Sequence, residues 1–345
     1  MAHSDRPTLV DVARRAGVSV STASNALTGL RPVGEDARRR VLAAAEALSY
    51  EPDRAARSLV SRRSDTVGIV IPDVTNPFFA ELGRTLEREL AEHGFAALIG
   101  DSDNSLDRQR GYIRAFESRR VDGLIVVPAV YEDAGELADV ARRTPTVLVD
   151  RTVRSWGGSS VGVSQAAGIH ALVDHLVELG HRELAFVSGA LTSSTGYERA
   201  VSFASYLEQL GLPDPYVVEA EFTLESGRAV VRHLLADART RLTAICAADD
   251  LLAFAVLEGS RLFGLHVPQD IALTGFDDIP YASFVHPALT TVRQPTAALS
   301  AQAVELLARE LGGDTAAEAV MLEPELVIRS STAAPRSTPQ LVMGS

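Results

Sequence analysis

The chain has 345 residues, 46% of them hydrophobic, one cysteine and a formal net charge of −12. That length and apolar content suit two or three domains with proper cores and exclude a disordered chain. The lone Cys246 excludes a disulfide framework and a thiolate zinc cluster, and no apolar run approaches the ~18 residues of a membrane span. Charge is unevenly spread: residues 1–64 carry 11 Arg against 7 acidic residues (+4), leaving 22 against 38 (−16) for the remainder. A basic head on an acidic body is the asymmetry expected when one part meets phosphate. The opening "MAHSDRPT" has no apolar run of the kind a secretory signal needs, so a cytoplasmic location without a membrane partner is expected.

In chain order, residues 1–7 lack periodicity. Thr8, with Asp11 three residues on, then offers an approximate capping box for a first helix, and Ser19 can cap a second beginning at Val20. Gly17 stands where the chain must turn sharply, a position for a residue tolerant of positive φ. Gly34, Glu35 and Asp36 open a third helix, in which Val41, Ala45 and Leu48 recur at helical spacing. These three short helices predict a small bundle.

The texture changes near "SRRSDT" (61–66). Beyond it, apolar runs at 66–72, 96–100, 122–128, 146–150, 183–189, 242–247 and 271–278 alternate with helical stretches of 10 to 20 residues. The pattern predicts repeated βαβ units, parallel sheets and two doubly wound lobes. In open α/β sheets ligands sit at the carboxyl ends of strands. There the sequence reads "PDVTNPFF", "VDR", "SGALTSSTGYER", "AADD" and "GFDD", a chemistry of carboxylates, hydroxyls, an Arg and aromatics suited to a small polar molecule with an apolar face. The segment 333–345 again lacks periodicity and is expected to be a disordered tail.

Three stretches together resemble the LacI family of bacterial transcription regulators. "TLVDVARRAGVSVSTASNALTG" is similar to its helix-turn-helix, "ALSYEPDRAARSLVSRRSDTVGIVIPDVTNPFF" to its third helix, hinge and first core strand, and "VPQDIALTGFDDIPYASFVHPALTTVRQP" to its late core signature. They keep the family's order from about Thr8 to Thr332. The resemblance implies an α/β protein: a small all-α helix-turn-helix headpiece and a two-lobed, doubly wound core resembling periplasmic sugar-binding proteins. It implies a DNA-binding domain over 1–52, a hinge over 53–64 and an effector-binding and dimerisation core over 65–332. Within that core the N-lobe would hold about 65–161 and 292–321, the C-lobe about 162–291 and 322–332.

At the headpiece, the start of the second helix would present Val20, Ser21, Thr22 and Asn25 to base edges of double-stranded operator DNA. The family often has Arg or His where this chain has Asn25, and usually Val where it has Ala23, so operator preference does not carry over. In the hinge the resemblance implies DNA contacts from Arg57 and Leu59, the latter wedging into a minor-groove base step beside its partner subunit's copy. In the core, Asp150, Arg199, Asp249 and Asp277 match effector-contacting positions. Phe78 and Phe79 could cover an apolar face, while Ser193, Thr195 and Phe222 are secondary contacts in variable loops. Carboxylates accepting paired hydroxyls, with Arg donating through a rigid fork, favour a sugar or polyol effector. The family's purine-responsive branch carries an Arg about where Ser193 stands, which weighs against a nucleobase.

The expectation is a homodimeric, ligand-controlled repressor with no catalytic residues, metal or cofactor. The alternatives are a nucleobase-responsive co-repressed regulator and a sugar-binding protein without DNA function. No phosphate-binding, nucleophile-elbow or zinc-protease motif stands in the chain.

Overall fold

In a computed structural model of the chain, the described residues are 7–28, 31–50, 64–237 and 242–335. They fall into two compact units divided between Asp65 and Thr66. The first holds three helices, α1 (Leu9–Ala16), α2 (Val20–Thr28) and α3 (Glu35–Ala47). The Thr8 capping box is complete: its backbone N–H donates to Asp11 Oδ2 at 3.0 Å, and the Asp11 N–H donates back to Thr8 Oγ at 3.4 Å. Gly17 closes α1 at φ 65°, a left-handed conformation that a side chain would oppose. The shared core is made of Val12, Ala13, Ala16, Ala23, Ala26, Val41, Ala44 and Ala45. Residues this small let three short helices approach closely around little apolar volume.

The second unit contains two parallel sheets. One has six strands in the order β11-β5-β4-β3-β1-β2, the other four in the order β7-β6-β8-β9. In the first, β1 (Thr66–Ile71) lies between β2 (Ala96–Asp101) and β3 (Gly123–Val126), followed outward by β4 (Thr146–Val149), β5 (Ser160–Val163) and β11 (Ala319–Leu322). In the second, β6 (Leu184–Ser188) lies between β7 (Tyr216–Glu219) and β8 (Ala244–Ala247), with β9 (Ala272–Thr274) beyond. Strands β3, β4, β6 and β8 are buried at every position. Helices cover both faces, so these strands read in the sequence as unbroken apolar runs.

Helices α4 (Pro77–Glu92), α5 (Leu106–Ser118) and α6 (Gly135–Ala141) follow β1, β2 and β3. Helices α7 (Gln165–Glu178), α8 (Ser194–Gln209), α9 (Leu224–Asp237) and α10 (Asp250–Leu262) belong with the second sheet, whose core includes Ile169, Phe186, Phe203, Leu252 and Phe276. The late helix α11 (Thr296–Leu311) returns to α4, where Leu299, Ala303 and Leu307 join Leu82, Leu86 and Leu90 in one cluster. The chain therefore passes between the two sheets three times: after β5, after β10 (Thr291–Arg293) and between β11 and β12 (Glu325–Val327). Strands β10 and β12 pair antiparallel with each other as a separate ribbon. Each sheet reverses its strand order beside its first strand, the place where doubly wound sheets open a crevice at their carboxyl ends.

Candidate functional site

On α2, Ala23 and Ala26 face the helical core, while Val20 and Ser21 are exposed and Thr22 and Asn25 half-buried. Ser19 Oγ lies 2.9 Å from Ser21 Oγ and 2.8 Å from Thr22 Oγ1, and accepts the Thr22 N–H at 3.1 Å. The entry turn of α2 thus gathers three hydroxyls at the positive end of a helix with no acidic residue in its first turn. Arg14 and Arg15 are exposed at the end of α1. Arg14 bonds Asp11 at 3.1 Å, an exposed pair that leaves its charge available to a phosphate. Arg57 and Leu59 lie outside the described residues.

In the core, one cleft is lined by Phe78, Phe79, Asp150, Thr195, Arg199, Phe222, Asp249 and Asp277, together with Asn76, Arg151 and Gln294. Each comes from the carboxyl side of a strand. Asn76, Phe78 and Phe79 follow β1, Asp150 and Arg151 follow β4, Thr195 and Arg199 open α8 after β6, and Phe222, Asp249, Asp277 and Gln294 follow β7, β8, β9 and β10. Two hydrogen bonds join the walls: Tyr131 N–H donates to Thr192 O at 2.5 Å, and Thr152 N–H donates to the Ser194 side-chain Oγ at 3.0 Å. The Tyr131 and Tyr197 rings meet beside them, centroids 5.8 Å apart.

Arg199, 3% exposed, ties this cleft together. Its Nε donates to Gln165 Oε1 at 2.7 Å, Nη1 donates to Ala248 O at 2.5 Å, and Nη2 lies 3.6 Å from Asp277 Oδ1. Its guanidinium also stacks on Phe276, 3.7 Å from the ring centroid. Asp277 accepts from Gln294 Nε2 at 2.7 Å. Burial pushes its carboxyl up to about 8, outweighing Arg199. Asp249 caps α10 through the Leu252 N–H at 2.7 Å, and burial pushes it up to about 6. Burial also raises Asp150, with Arg151 and Arg199 opposing. Asp150 and Asp277 hold positive φ of 64° and 107°, a strained backbone of the kind found at ligand sites.

Ser193 stands apart from this lining. It was expected to meet the ligand, but it caps α8: its hydroxyl donates to Ala190 O at 2.8 Å and accepts the Gly196 N–H at 3.1 Å, and it does not line the cleft. The adjacent acids divide their work. Asp250 accepts from Thr291 Oγ1 and the Ile279 N–H, and Asp278 is held by Arg293 and Arg329, all as internal ties.

Sequence reasoning missed Arg151, Gln294 and Asn76. Arg151 is 4% exposed, bonds Asn104 Oδ1 at 3.1 Å through Nη1, and its guanidinium carbon lies 5.1 Å from the Phe79 ring centroid and 5.5 Å from that of Phe222. Burial lowers its guanidinium to about 10. The "VDR" stretch held the signal: two charged residues directly after a buried strand. Asn76 caps α4 by accepting the Phe78 N–H at 3.0 Å. Further along the same loop as Arg151, the half-buried Trp156 packs on the cluster around Val153 and donates its indole N–H to Ser159 O at 3.1 Å.

Comparison with known proteins covers both units. The model for bacterial regulatory proteins of the lacI family matches residues 8–53, and that for a periplasmic binding protein-like domain matches residues 173–332. The chain is 32% identical over 336 residues to the HTH-type transcriptional repressor PurR of Salmonella newport (strain SL254), covering 94% of this chain and 97% of the relative. It is 31% identical over 336 residues to PurR of Klebsiella pneumoniae, with the same coverage. Its structure is similar to that of the lac repressor dimer bound to operator and the anti-inducer ONPF (TM-score 0.88, 25% identity, 96% of this chain and 100% of that one). It is also similar to the complex of the transcriptional regulator CelR with cellobiose (TM-score 0.71, 29% identity, 94% and 100%).

Proposed function

The chain belongs to the LacI family of bacterial regulatory proteins, a DNA-binding transcriptional repressor under small-molecule control, and on that premise we propose that its effector is a sugar or related polyol held in the Arg199 cleft. The observation that carries this reading is the pairing of three carboxyls, Asp150, Asp249 and Asp277, with aromatic cover from Phe79 and Phe222 in one cleft. Carboxylates accept from neighbouring hydroxyls, and ring faces cover the apolar side of a sugar. A nucleobase is the second reading, favoured by the two aromatic faces and by the similarity to PurR.

On this reading the cleft binds and does not catalyse. The protein works in the cytoplasm as a homodimer, two headpieces on a pseudo-palindrome supplying affinity through effective concentration. Val20, Ser21, Thr22 and Asn25 read bases. Arg57 and Leu59 complete the contact from the hinge, and effector binding alters hinge order through a rotation of one lobe on the other. The cleft receives residues from both sheets, so a ligand touching both favours one arrangement of the lobes.

Arg199→Ala tests the cleft: operator binding is expected to survive while the response to effector is abolished. A mutant that still responded at unchanged effector concentrations would remove the cleft from the mechanism. For the hinge, Leu59→Ala is expected to weaken specific operator binding far more than nonspecific binding, and equal loss on both DNAs sinks that role.

A further inference from the structure

We infer that His175 and His181 form a proton-operated clasp on the C-terminal strap, residues 328–333, which the neutral rings hold against the second sheet and their protonation frees. The strap follows β12, which the chain reaches on its third passage between the sheets, and it lies along β9. The Leu273 N–H donates to Ser331 O at 2.9 Å, and the Ser330 N–H donates to Ala288 O at 3.0 Å. The Ser331 hydroxyl donates to Leu273 O at 2.6 Å and accepts the Thr290 N–H at 2.8 Å. Two imidazoles fasten the far end. On α7, His175 Nε2 lies 2.9 Å from Thr332 Oγ1, and in the loop before β6, His181 Nε2 lies 2.8 Å from Ala333 O. Fastening the strap fixes the end of the third crossover on the second sheet.

The clasp works only with neutral rings. A carbonyl can only accept, so His181 carries its proton on Nε2 and a bare lone pair on Nδ1. The residue is 1% exposed, and Nδ1 has no partner among the described residues. A second proton would put a charged N–H in the interior with no acceptor. Burial accordingly holds both rings below the ordinary histidine range. The charged groups facing them are few: Glu178 favours a charge on His175, while His175 and Arg182 oppose one on His181. The strap adds none, since 330–335 are Ser, Thr, Ala and Pro, and neither does the adjoining turn 288–292 of Ala, Leu, Thr and Val. With the strap open, water reaches the rings and they titrate near 6.5, so the open form takes up protons that the closed form refuses. The clasp is therefore closed above pH 6.5 and loosens as pH falls below it. At pH 5.5 each ring kept neutral by closure favours the open strap by about tenfold. A regulator so built reads proton concentration at the anchor of a crossover, apart from whatever is read in the cleft.

The test is amide hydrogen exchange followed by mass spectrometry on the full-length protein at pH 7.5 and pH 5.5, corrected for the intrinsic pH dependence of exchange. Protection of peptides covering 269–275 and 326–335 is expected to fall by about tenfold or more at the lower pH, while peptides covering β1 and β3 keep theirs. A strap equally protected at both pH values, or a loss spread evenly over both sheets, overturns the inference. The double substitution His175→Gln, His181→Gln retains an amide N–H donor for each strap contact and does not titrate in this range. It is expected to reduce the strap's response to about threefold or less, although Asp249 and Asp277 in the cleft still titrate there. An undiminished fall in that variant assigns the response to the cleft acids and overturns the clasp. The wild-type comparison decides by itself if the variant fails to fold.

Discussion

At Asp277 burial opposes ionisation and Arg199 favours it, and burial wins, so the folded chain holds this proton up to about pH 8 against an ordinary value of 3.8. A folded pKa above the unfolded one means that the native state binds the proton more tightly. The stability it contributes is present at low pH and is lost as pH rises toward 8. The thermal midpoint of the core is therefore expected to fall between pH 6 and pH 8, and Asp277→Asn to flatten that fall. An equally steep variant would place the titrating group elsewhere. Asp249, raised to about 6, gives a prediction of opposite sign for the ligand. A hydroxyl donating to its free Oδ2 favours the ionised carboxylate, so binding releases a proton and effector affinity rises from pH 5 to pH 7. Titration in buffers of different ionisation enthalpy measures that proton count, and proton uptake would contradict the contact. These acids were legible because each stands within three residues of the end of a buried strand. Ser193 falls outside the cleft lining because a hydroxyl ahead of a helix serves equally as a cap, and Gln294 was invisible because a neutral polar residue in a loop breaks no pattern.

Among the elements, strand β6 and the loop after β7 meet at a glycine. A Cβ on Gly189 would overlap the Phe222 ring, so the close approach that sets this wall of the cleft depends on the missing side chain. Gly189→Ala is expected to displace Phe222, destabilise the core by about 1–3 kcal/mol and weaken effector binding, while headpiece binding to DNA fragments is unchanged. Equilibrium unfolding and ligand titration of the variant read both effects, and intact effector affinity would separate Phe222 from the site. In the headpiece, Thr8→Ala removes one half of the capping box on α1 and is expected to cost about 1 kcal/mol of headpiece stability by thermal unfolding. The long buried strands and the three headpiece helices were readable from periodicity. Strands β7, β11 and β12 were not, because they are exposed or part-exposed elements of only three or four residues, too short for a periodic pattern to mark them. Strand β10 is only three residues long and ends on the exposed Arg293.

For the whole molecule, chain order and spatial order part company near the C-terminus. Helix α11 and strand β11 follow the second sheet in sequence but pack with the first, and no local pattern at 296–322 announces that return. Only the resemblance to a known architecture supplied it. The cleft is built from both sheets, so effector and operator are coupled through one protein, and linkage makes the coupling mutual. Saturating operator DNA is expected to change effector affinity by the same factor by which effector changes operator affinity. Equal effector affinity with and without operator would break that mechanism. The +4 charge of residues 1–64 adds that operator binding weakens steeply with salt, with a slope of about −0.9 per phosphate contact. One side chain makes these measurements unusually direct. Trp156 is the chain's only tryptophan, five residues beyond Arg151 on the loop that closes one wall of the cleft. Excitation at the red edge, where the seven tyrosines do not absorb, therefore confines emission to a single known point, and a change in it is the expected optical signal of effector arrival, readable in a stopped-flow cell without dye, tag or radiolabel.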